Sequence, residues 1–524
     1  MTIRYRPFAV PALCMLSVLI VLIPWGKSLL RTPLHSDLVW LYEAFARWIG
    51  GATMTGSVFE PNPPLSLFSY ALPYVLSSLT GVEAHYTIFI YVMALLALSA
   101  LATGYVVMKL TRGDQAATAL VVAAFLLSQT VMTNALYGER DHLVALGLVP
   151  FVLLQYALNR GIRIAAYWRW PVFILGAFLI LLKPHHGLIP FLMVLDGLRR
   201  NPGWRNFLRA DFISLSALVL AYAVLLYFVF PDYIQVIFPD VWQLYLSQRE
   251  ARLPEVTGYL FIPAGGLLFS AVCLRYRACH PGLVLLLGVA SVLSLIPYLV
   301  QGKGFYYHLF PALGFFIPGL TLLLFEWLAY EGKRRTFAAG LSITALTGLA
   351  LMIFPANGAL PDYRAYRDMP LTQRVRAACE NRTGCSFFMF NDTMGIVHET
   401  AYVTGIRHGS RFPSFWFLPE MLKHDRISPE DSEILRLSYG GRIAEDLERY
   451  KPPILIIGRF SITGQGFFDF GAYWAVSDSF RTAWERYRHD GTIKISYGDY
   501  YPGTLVKDSP PVTYDIYRLT DPDQ

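Results

Sequence analysis

The sequence predicts a polytopic α-helical membrane protein with about eleven transmembrane helices and a C-terminal extracytoplasmic α/β domain. Three observations support this fold class. Of the 524 residues, 55% are hydrophobic and only 15% are charged, whereas soluble domains average about 25% charged residues. Apolar runs of about 20 residues, the length that crosses a bilayer, recur through the first two thirds of the chain. The last third regains charges and shows a helix followed by a strand.

The predicted transmembrane spans are apolar runs separated by polar turns. The run from Pro171 to Leu198 is interrupted by Lys183-Pro184-His185-His186, and we divide it there because proline breaks the hydrogen bonding of a helix interior. The segment from Pro64 to Leu79 is predicted to be an interfacial helix rather than a span. The predicted spans are 8–30, 85–109, 116–136, 142–158, 170–182, 187–198, 211–231, 257–275, 282–301, 305–329 and 336–355.

The basic residues predict the orientation of these spans. Cytoplasmic turns of membrane proteins are enriched in lysine and arginine. With the N-terminus in the cytoplasm, the basic clusters fall in the cytoplasmic turns and the chain after Phe354 lies outside. This distribution accounts for the net charge of +7, so we predict no nucleic-acid partner. The clusters are Lys109 with Arg112; Arg160, Arg163 and Arg169; Arg199, Arg200, Arg205 and Arg209; Arg275 with Arg277; and Lys333, Arg334 and Arg335.

The chain after residue 355 is predicted to form an α/β domain. Pro429 to Tyr450 has the apolar spacing of an amphipathic helix, and two prolines separate it from the predicted buried strand Ile454 to Ile457. The aromatic segment from Arg411 to Trp416 either packs into a core or faces sugar or membrane. Cys379 and Cys385 either form a local disulfide, which an extracytoplasmic setting permits, or remain two free thiols.

Charged residues and histidines collect at the predicted outer ends of the spans. A charge at membrane depth costs about 2.5–3.5 kcal/mol on insertion scales, so such residues pair with one another or mark a site. They are His35, Asp37 and Glu60 in the first loop; Glu139, Arg140, Asp141 and His142 between the third and fourth spans; Lys183, His185 and His186 in the interrupted run; and Lys303 with His308 before the tenth span.

This set of residues suits an anionic substrate. Lys183, Lys303 and Arg140 match the charge of a phosphate or diphosphate. A neighbouring carboxylate could act as general base toward an acceptor hydroxyl, or could hold a divalent metal ion. The candidate metal ligands are Asp37, Glu60 and Asp141.

Structural explanations compete with this interpretation. Lys183 could extend to the membrane interface, and residues 139–141 could be an ion-pair cap on the third span. Each histidine alone is more typical of a hydrogen-bonded interface residue than of a ligand, and His185 is the one that we place nearest the site. The amphipathic segment from Leu38 to Trp48 is predicted to lie flat on the membrane. Asp37 can serve as its N-cap as well as act in catalysis.

The order of these features resembles the GT-C superfamily of membrane glycosyltransferases, which includes protein O-mannosyltransferases and the lipid A aminoarabinose transferase. An acid follows the first span (Asp37), Pro63-Pro64-Leu65 opens an interfacial segment, and a second acid follows the third span (Asp141). Outward loops and a C-terminal extracytoplasmic domain complete a layout that covers nearly the whole chain. Three further motifs resemble a bacterial branch: Arg140-Asp141-His142, Lys183-Pro184-His185, and Gln301-Gly302-Lys303-Gly304 with His308.

The resemblance implies an enzyme that takes a hexose or pentose from a polyprenyl-phosphate carrier and adds it to a lipid, glycan or protein acceptor by inverting single displacement. Asp37 would deprotonate the acceptor, and the two lysines with Arg140 would neutralise the leaving phosphate. Glu60 and Asp141 would bind the acceptor, the sugar or a metal ion. The predicted substrate-binding residues are Glu60, Glu139, Arg140, Asp141, His142, Lys183, His185, Lys303 and His308.

Two positions depart from the pattern of the superfamily. Mannosyltransferases carry two adjacent acids in the first loop, whereas here Leu38 follows Asp37. The aminoarabinose transferase has a lysine before the proline of its interfacial segment, where this chain has Asn62. The phosphate-binding role therefore falls to Lys183 or Lys303 by inference rather than by a matched motif.

The sequence as a whole predicts a bacterial inner-membrane glycosyltransferase. Its GT-C-like transmembrane module would be 1–355, with a first periplasmic loop at 31–84, and its periplasmic α/β domain would be 356–524. The alternative is a transporter or flippase for a lipid-linked or anionic solute, because that function also places charges at membrane depth. The charges lie on one face and the chain shows no related halves, which favours the transferase.

Overall fold

The fold is mostly helical. A computed structural model describes residues 9–245, 261–275, 279–330, 335–356, 363–424, 427–459, 467–496 and 511–520. The helices through residue 356 are α1 (Ala9–Leu29), α2 (Ser36–Ile49), α3 (Met54–Ser57), α4 (Ala71–Thr80), α5 (Ala84–Leu110), α6 (Gln115–Ser128), α7 (Arg140–Asn159), α8 (Ala166–Leu181), α9 (Leu188–Arg200), α10 (Ala210–Phe228), α11 (Phe238–Asp240), α12 (Phe261–Arg275), α13 (Pro281–Gln301), α14 (Phe310–Tyr330) and α15 (Arg335–Ala356).

Within the described residues, seven helices are long and apolar enough to cross a membrane, and three more are apolar but shorter. The seven are α1, α5, α7, α10, α13, α14 and α15, and the shorter ones are α6, α8 and α12. Each predicted span coincides with a helix, although the start of the predicted span 257–275 lies outside the described residues. The chain is therefore a multi-pass membrane protein.

The predicted span 116–136 is longer than the helix that forms there, because α6 ends at Ser128. The hydroxyls of Thr130 and Thr133 donate to main-chain carbonyls three and four residues earlier. Asn134 adopts a positive φ of 43°. Side-chain hydrogen bonds of this kind compete with the regular helix ladder, so the polar residues after Ser128 end the helix early.

The chain divides into two compact units. The first unit comprises Met1–Leu30, Val82–Val224 and Glu250–Asn357, and the second comprises Arg31–Gly81, Leu225–Arg249 and Gly358–Gln524. The first loop is predicted to belong to the transmembrane module, whereas in the structure Arg31–Gly81 folds together with the C-terminal segment. Main-chain carbonyls of His408 and Ser410 hold this loop, because both accept hydrogen bonds from the Arg47 guanidinium.

In the first unit, α7 is buried along almost its whole length and packs against α5, α8, α9 and α14. Glycines allow its crossing with α8 to be close. A Cβ atom at Gly147 would lie 2.8 Å from the Leu179 Cβ and 3.2 Å from the Gly176 main chain. Small residues permit this approach between membrane helices. The crossing fixes the polar ends of α7 and α8 relative to each other.

The second unit contains a five-stranded mixed sheet in the order β2-β1-β3-β5-β4. Strand β1 is parallel to β2 and β3, while β5 is antiparallel to β3 and β4. The strands are β1 (Ser386–Phe390), β2 (Arg407–His408), β3 (Ile454–Arg459), β4 (Tyr487–Ile495) and β5 (Val512–Leu519). Besides α2, α3, α4 and α11, its helices are α16 (Tyr363–Arg367), α17 (Pro370–Cys379), α18 (Gly395–Thr404), α19 (Leu418–Lys423), α20 (Pro429–Tyr450), α21 (Phe470–Trp474) and α22 (Asp478–Trp484).

Several expectations for the C-terminal segment agree with the structure. Helix α20 has the predicted bounds, and the predicted strand at Ile454 to Ile457 is part of β3. Cys379 and Cys385 form a disulfide between α17 and β1. The aromatic segment from Arg411 to Trp416 is buried, so it forms core rather than a surface for sugar or membrane.

Helix α2 corresponds to the predicted amphipathic segment, but most of its side chains are buried. Phe45 packs against Phe68 and Tyr74, and Trp40 packs against His398 of α18. The helix is predicted to lie flat on a membrane, but its apolar side chains pack against other parts of the protein. The predicted interfacial segment that follows is a 3-10 helix, Pro64–Tyr70, joined to α4, whose Leu72 and three further apolar side chains are exposed.

Candidate functional site

The carboxylate of Asp141 is the centre of a buried polar cluster in the first unit. Helix α7 begins at Arg140, so Asp141 lies in its first turn, where the helix dipole favours negative charge. Gly138 has a positive φ of 79° and its main-chain N–H donates to Nδ1 of His142 at 2.9 Å. This turn starts the helix sharply and holds the Asp141 side chain at the N-terminal end of α7.

Lys183 and His186 reach Asp141 from the interruption between α8 and α9. Lys183 Nζ lies 2.5 Å from Asp141 Oδ2, and His186 Nε2 lies 3.3 Å from Oδ1. The Pro184–Gly187 segment is a 3-10 helix, in which residues three apart lie on the same side. Pro184 interrupts the apolar run as predicted, and the tight turn places Lys183 and His186 on the same side.

His308 completes the cluster from the 3-10 helix Tyr306–Leu309 before α14. Its Nδ1 lies 3.1 Å from Asp141 Oδ2 and 3.2 Å from Lys183 Nζ. A neutral histidine uses that nitrogen either to donate to the carboxylate or to accept from the ammonium. The Lys183 ammonium also lies over the Tyr307 ring at 5.2 Å. We call Asp141, Lys183, His186 and His308 the Asp141 cluster.

The structure places His186, and not His185, beside Asp141. His185 Nε2 instead lies 3.1 Å from the side-chain nitrogen of Gln301. The sequence spacing could have identified His186, because it is three residues from Lys183 and the proline between them favours a tight turn.

The remaining predicted residues of the first unit lie at the ends of the same helices. Glu139, Arg140 and His142 are buried around the start of α7. Lys303 is buried just after α13, between Gly302 and Gly304, both of which have positive φ. Glycine adopts this left-handed conformation without steric cost, so the Gly-Lys-Gly sequence ends the helix and turns the chain.

The two predicted acids of the first loop belong to the second unit. Asp37 is half-buried in the first turn of α2, whose N-cap position is His35. The expectation that Asp37 is the N-cap is therefore wrong by two residues. Glu60 is buried and accepts hydrogen bonds from the Trp40 indole, from the Asn62 side chain and, at 2.8 Å, from the Asn62 main chain.

Two buried arginines of the second unit were not singled out by sequence reasoning. Arg47 donates to the main-chain oxygen of Ser410 at 2.6 Å and to Glu43 Oε1 at 2.6 Å. Arg411 pairs with Asp446 through its Nε at 2.9 Å. The signal for Arg47 was available, because it stands on the apolar side of an amphipathic helix, where a charge needs a buried partner.

Burial and nearby charges shift pKa values in the second unit. Burial raises the pKa of the Asp446 carboxyl to about 6, and the Arg411 guanidinium opposes that rise. Burial, aided by other positive charges, lowers the pKa of His408 well below its ordinary value. For Glu43, burial acts to raise the pKa, but the Arg47 guanidinium outweighs it and holds the pKa below its ordinary value.

Asp141 and Glu60, two of the candidate metal ligands, have protein partners at both of their carboxylate oxygens. Both oxygens of Asp141 contact basic side chains, and both oxygens of Glu60 accept hydrogen bonds from neutral donors. A divalent cation would have to displace those groups, and at Asp141 it would also be repelled by Lys183. Asp141 and Glu60 therefore do not fit a metal site.

No protein-family profile and no curated protein sequence matches the chain. Among solved structures, ArnT from Cupriavidus metallidurans in the apo state aligns with a TM-score of 0.50 and 12% sequence identity, over 84% of this chain and 92% of that chain. The same protein bound to undecaprenyl phosphate aligns with a TM-score of 0.50 and 14% identity, over 96% of this chain and 97% of that chain. ArnT is the aminoarabinose transferase of the GT-C superfamily. At these identities the likeness shows the fold alone, and this chain shares the fold of ArnT, as the resemblance to the aminoarabinose transferase predicts.

Proposed function

We propose that this protein is a polyprenyl-phosphate-dependent glycosyltransferase of the bacterial inner membrane. One observation carries the proposal. The chain shares the fold of an ArnT structure that holds undecaprenyl phosphate, and it buries a lysine, an acid and two histidines at helix ends. The N-terminus would be cytoplasmic, the chain would cross the membrane about eleven times, and the second unit would be periplasmic. The donor is a polyprenyl-phosphate-linked hexose or pentose, and the acceptor is a lipid, a glycan or a protein.

The reaction is an inverting single displacement. The acceptor oxygen forms a bond to the anomeric carbon while the bond from that carbon to the carrier phosphate breaks. Asp37 takes the acceptor proton, and the phosphate leaves with the bonding electrons. General base catalysis of this kind contributes about 10²–10⁴-fold.

The phosphate is received by cationic side chains of the first unit. Lys183 has three N–H donors, and one of them is directed at Asp141. Asp141 and His308 then act as positioning residues, because they contact the ammonium from separate chain segments. His186 acts one step further away, because it contacts the Asp141 carboxylate. Arg140 and Lys303 supply further positive charge to the leaving group. The substrate-binding site around this cluster would also include Glu139, His142 and His185.

The test is transfer of radiolabelled sugar from polyprenyl-phosphate donors in membranes that contain wild type or Asp37→Asn. We expect the variant to lose at least about 100-fold in rate, because asparagine cannot accept the proton, with unchanged protein level and donor binding. Asp368→Asn is the matched control, since Asp368 is an exposed acid of the same unit that pairs only loosely with Arg367, at 3.5 Å.

Undiminished transfer by Asp37→Asn would remove the catalytic assignment from this loop. A wild-type protein that transfers no sugar from any donor, but moves lipid-linked or anionic solute across vesicles, would be a transporter instead.

A further inference from the structure

The second unit contains a cavity of about 980 Å³ that the proposed chemistry does not use. Its walls come from α2 and the chain through α3, from the end of α18 through the start of β2, and from the end of α20. A volume near 1,000 Å³ is at the upper end of small-molecule sites. The cavity is therefore large enough for a ligand of several sugar units.

Positive charge is in excess in this cavity. Among the described residues that line it, three are arginines, Arg47, Arg407 and Arg449, and one is an acid, Glu43. That carboxylate is already engaged by Arg47 at 2.6 Å, while Arg407 lies 3.7 Å away with 42% of its side chain exposed. Arg449 is exposed and donates to Ser57 Oγ at 2.7 Å. One carboxylate cannot compensate three guanidinium groups, so an anion would find unbalanced positive charge here.

The electrostatic crowding is visible at Arg407. Burial, followed by repulsion from Arg47, lowers the pKa of Arg407 below its ordinary value, and Arg449 acts in the same direction. The guanidinium nevertheless stays protonated at any physiological pH. A bound anion would relieve this repulsion, because its charge is opposite to that of all three groups.

The other walls of the cavity suit a polar ring rather than a lipid tail. Three tyrosines line it, Tyr42, Tyr402 and Tyr450, and tyrosine offers an apolar ring face together with a polar edge. Arg407 is already held over the Tyr450 ring at 5.1 Å. Gly51 and Gly405 have positive φ, and a Cβ added at either would meet no atom within 4 Å, so part of the wall is open main chain.

We propose that this cavity binds an anionic saccharide, meaning a sugar that carries phosphate or carboxylate groups. Guanidinium groups recognise both anions through paired hydrogen bonds, and the tyrosine rings and main chain accommodate the sugar. We further assign this saccharide to the acceptor, a step that rests on the glycosyltransferase function proposed above.

Binding to the purified full-length protein in detergent tests the first part without any donor. The probes are glucose 6-phosphate and trigalacturonic acid, with glucose and maltotriose as their neutral counterparts, measured by titration calorimetry. We expect both anionic probes to bind at least about tenfold more tightly than the neutral ones, because a neutral sugar cannot form charged hydrogen bonds with the arginines. Equal affinities for charged and neutral probes, or no binding at all, would overturn the proposal.

Variants separate the cavity from general surface charge. Arg407→Gln should weaken both anionic probes about fivefold to tenfold, because a charged hydrogen bond is lost from a partly exposed site. Arg382→Gln removes an exposed arginine elsewhere in the same unit and should change nothing. Glu43→Gln should tighten anion binding by about threefold, since it removes the competing carboxylate. Damage to folding cannot produce this gain, so a folded Glu43→Gln protein without it contradicts the proposal.

The sugar-transfer assay then tests the acceptor assignment separately. Arg407→Gln should raise the KM for an anionic acceptor with little change in kcat, because the cavity contributes binding rather than chemistry. An unchanged KM would overturn the assignment to the acceptor while leaving the binding site intact. Anion binding in a protein without any transferase activity would refute the proposed function and the acceptor assignment, and not the cavity.

Discussion

Two buried carboxylates, Asp141 in the first unit and Glu60 in the second, are stabilised in different ways. Both are at most 1% exposed. Asp141 is compensated by an ammonium and two imidazoles that come from distant parts of the chain. Glu60 accepts hydrogen bonds from neutral donors of Trp40 and Asn62. The first arrangement couples the charge of one residue to that of others, whereas these contacts of Glu60 use N–H groups that carry no charge.

The largest expected effect that would test this comparison comes from Lys183→Met. Asp141 would lose its ammonium partner in a buried site, and breaking a buried pair costs about 3–5 kcal/mol. We expect a lower melting temperature in detergent, measured by heating followed by size-exclusion chromatography.

The double variant Lys183→Met with Asp141→Leu provides the control. It removes both charges, so it should recover most of the lost stability, because well-packed apolar residues often replace a buried pair without cost. A double variant that is less stable than Lys183→Met would show that Asp141 does not depend on the lysine. Sugar transfer should be lost in both variants.

A smaller effect is expected for Trp40→Phe. The substitution removes the indole N–H that donates to the buried Glu60 carboxylate while keeping an aromatic ring. An unsatisfied buried acceptor costs about 1–3 kcal/mol. Trp48→Phe is the matched control on the same helix, because Trp48 is only half-buried and contributes ring packing against Phe68 and Phe230. Equal melting temperatures for the two variants would show that Glu60 does not depend on the indole.

The smallest effect near neutral pH is expected from His408. Its Nε2 accepts the Met389 N–H at 3.2 Å, and its neighbours include His398 and Arg47, so protonation is disfavoured in the folded state. Because the folded pKa lies below the unfolded value, the folded protein binds fewer protons below about pH 6.5. The stability present above pH 6.5 is therefore lost as the pH falls, with a slope below about 1.4 kcal/mol per pH unit for one proton.

Melting temperatures between pH 7 and 5 check this expectation. His408→Gln keeps an acceptor for the Met389 N–H and should flatten the pH dependence. His424→Asn, at an exposed position, should leave the slope as in wild type. An identical slope for wild type and His408→Gln would exclude His408 as a source of the pH dependence.

Much of the fold could be predicted because membrane helices are encoded locally. Apolar length, proline position and basic clusters place every predicted span on a helix. The early end of α6 was missed because hydroxyl groups that bond to the helix carbonyls are invisible to a hydropathy window. The bounds of α20 were predictable because a serine N-cap, a following proline and regular apolar spacing all agree.

The candidate site could be predicted only in part. Charge at membrane depth identified Asp141, Lys183 and His308 one by one, since each carries its own cost of burial. The three-residue spacing of Lys183 and His186 could have favoured His186 over His185. The mutual contacts of the cluster could not be predicted, because they depend on how separate helices pack. The charged cavity beside α2 was missed altogether, because Arg407 and Arg449 are distant in sequence from Glu43 and look like ordinary surface residues.

By itself, therefore, the sequence determined the class of the protein, its apolar helices and the residues whose burial would need explanation. These properties follow from composition and short-range pattern, which act within one helix or turn. Only the tertiary structure decided which charges compensate one another, and that the first loop folds with the C-terminal segment. Ion pairs and cavities join residues hundreds of positions apart, so their geometry exists only once the helices and the sheet have packed.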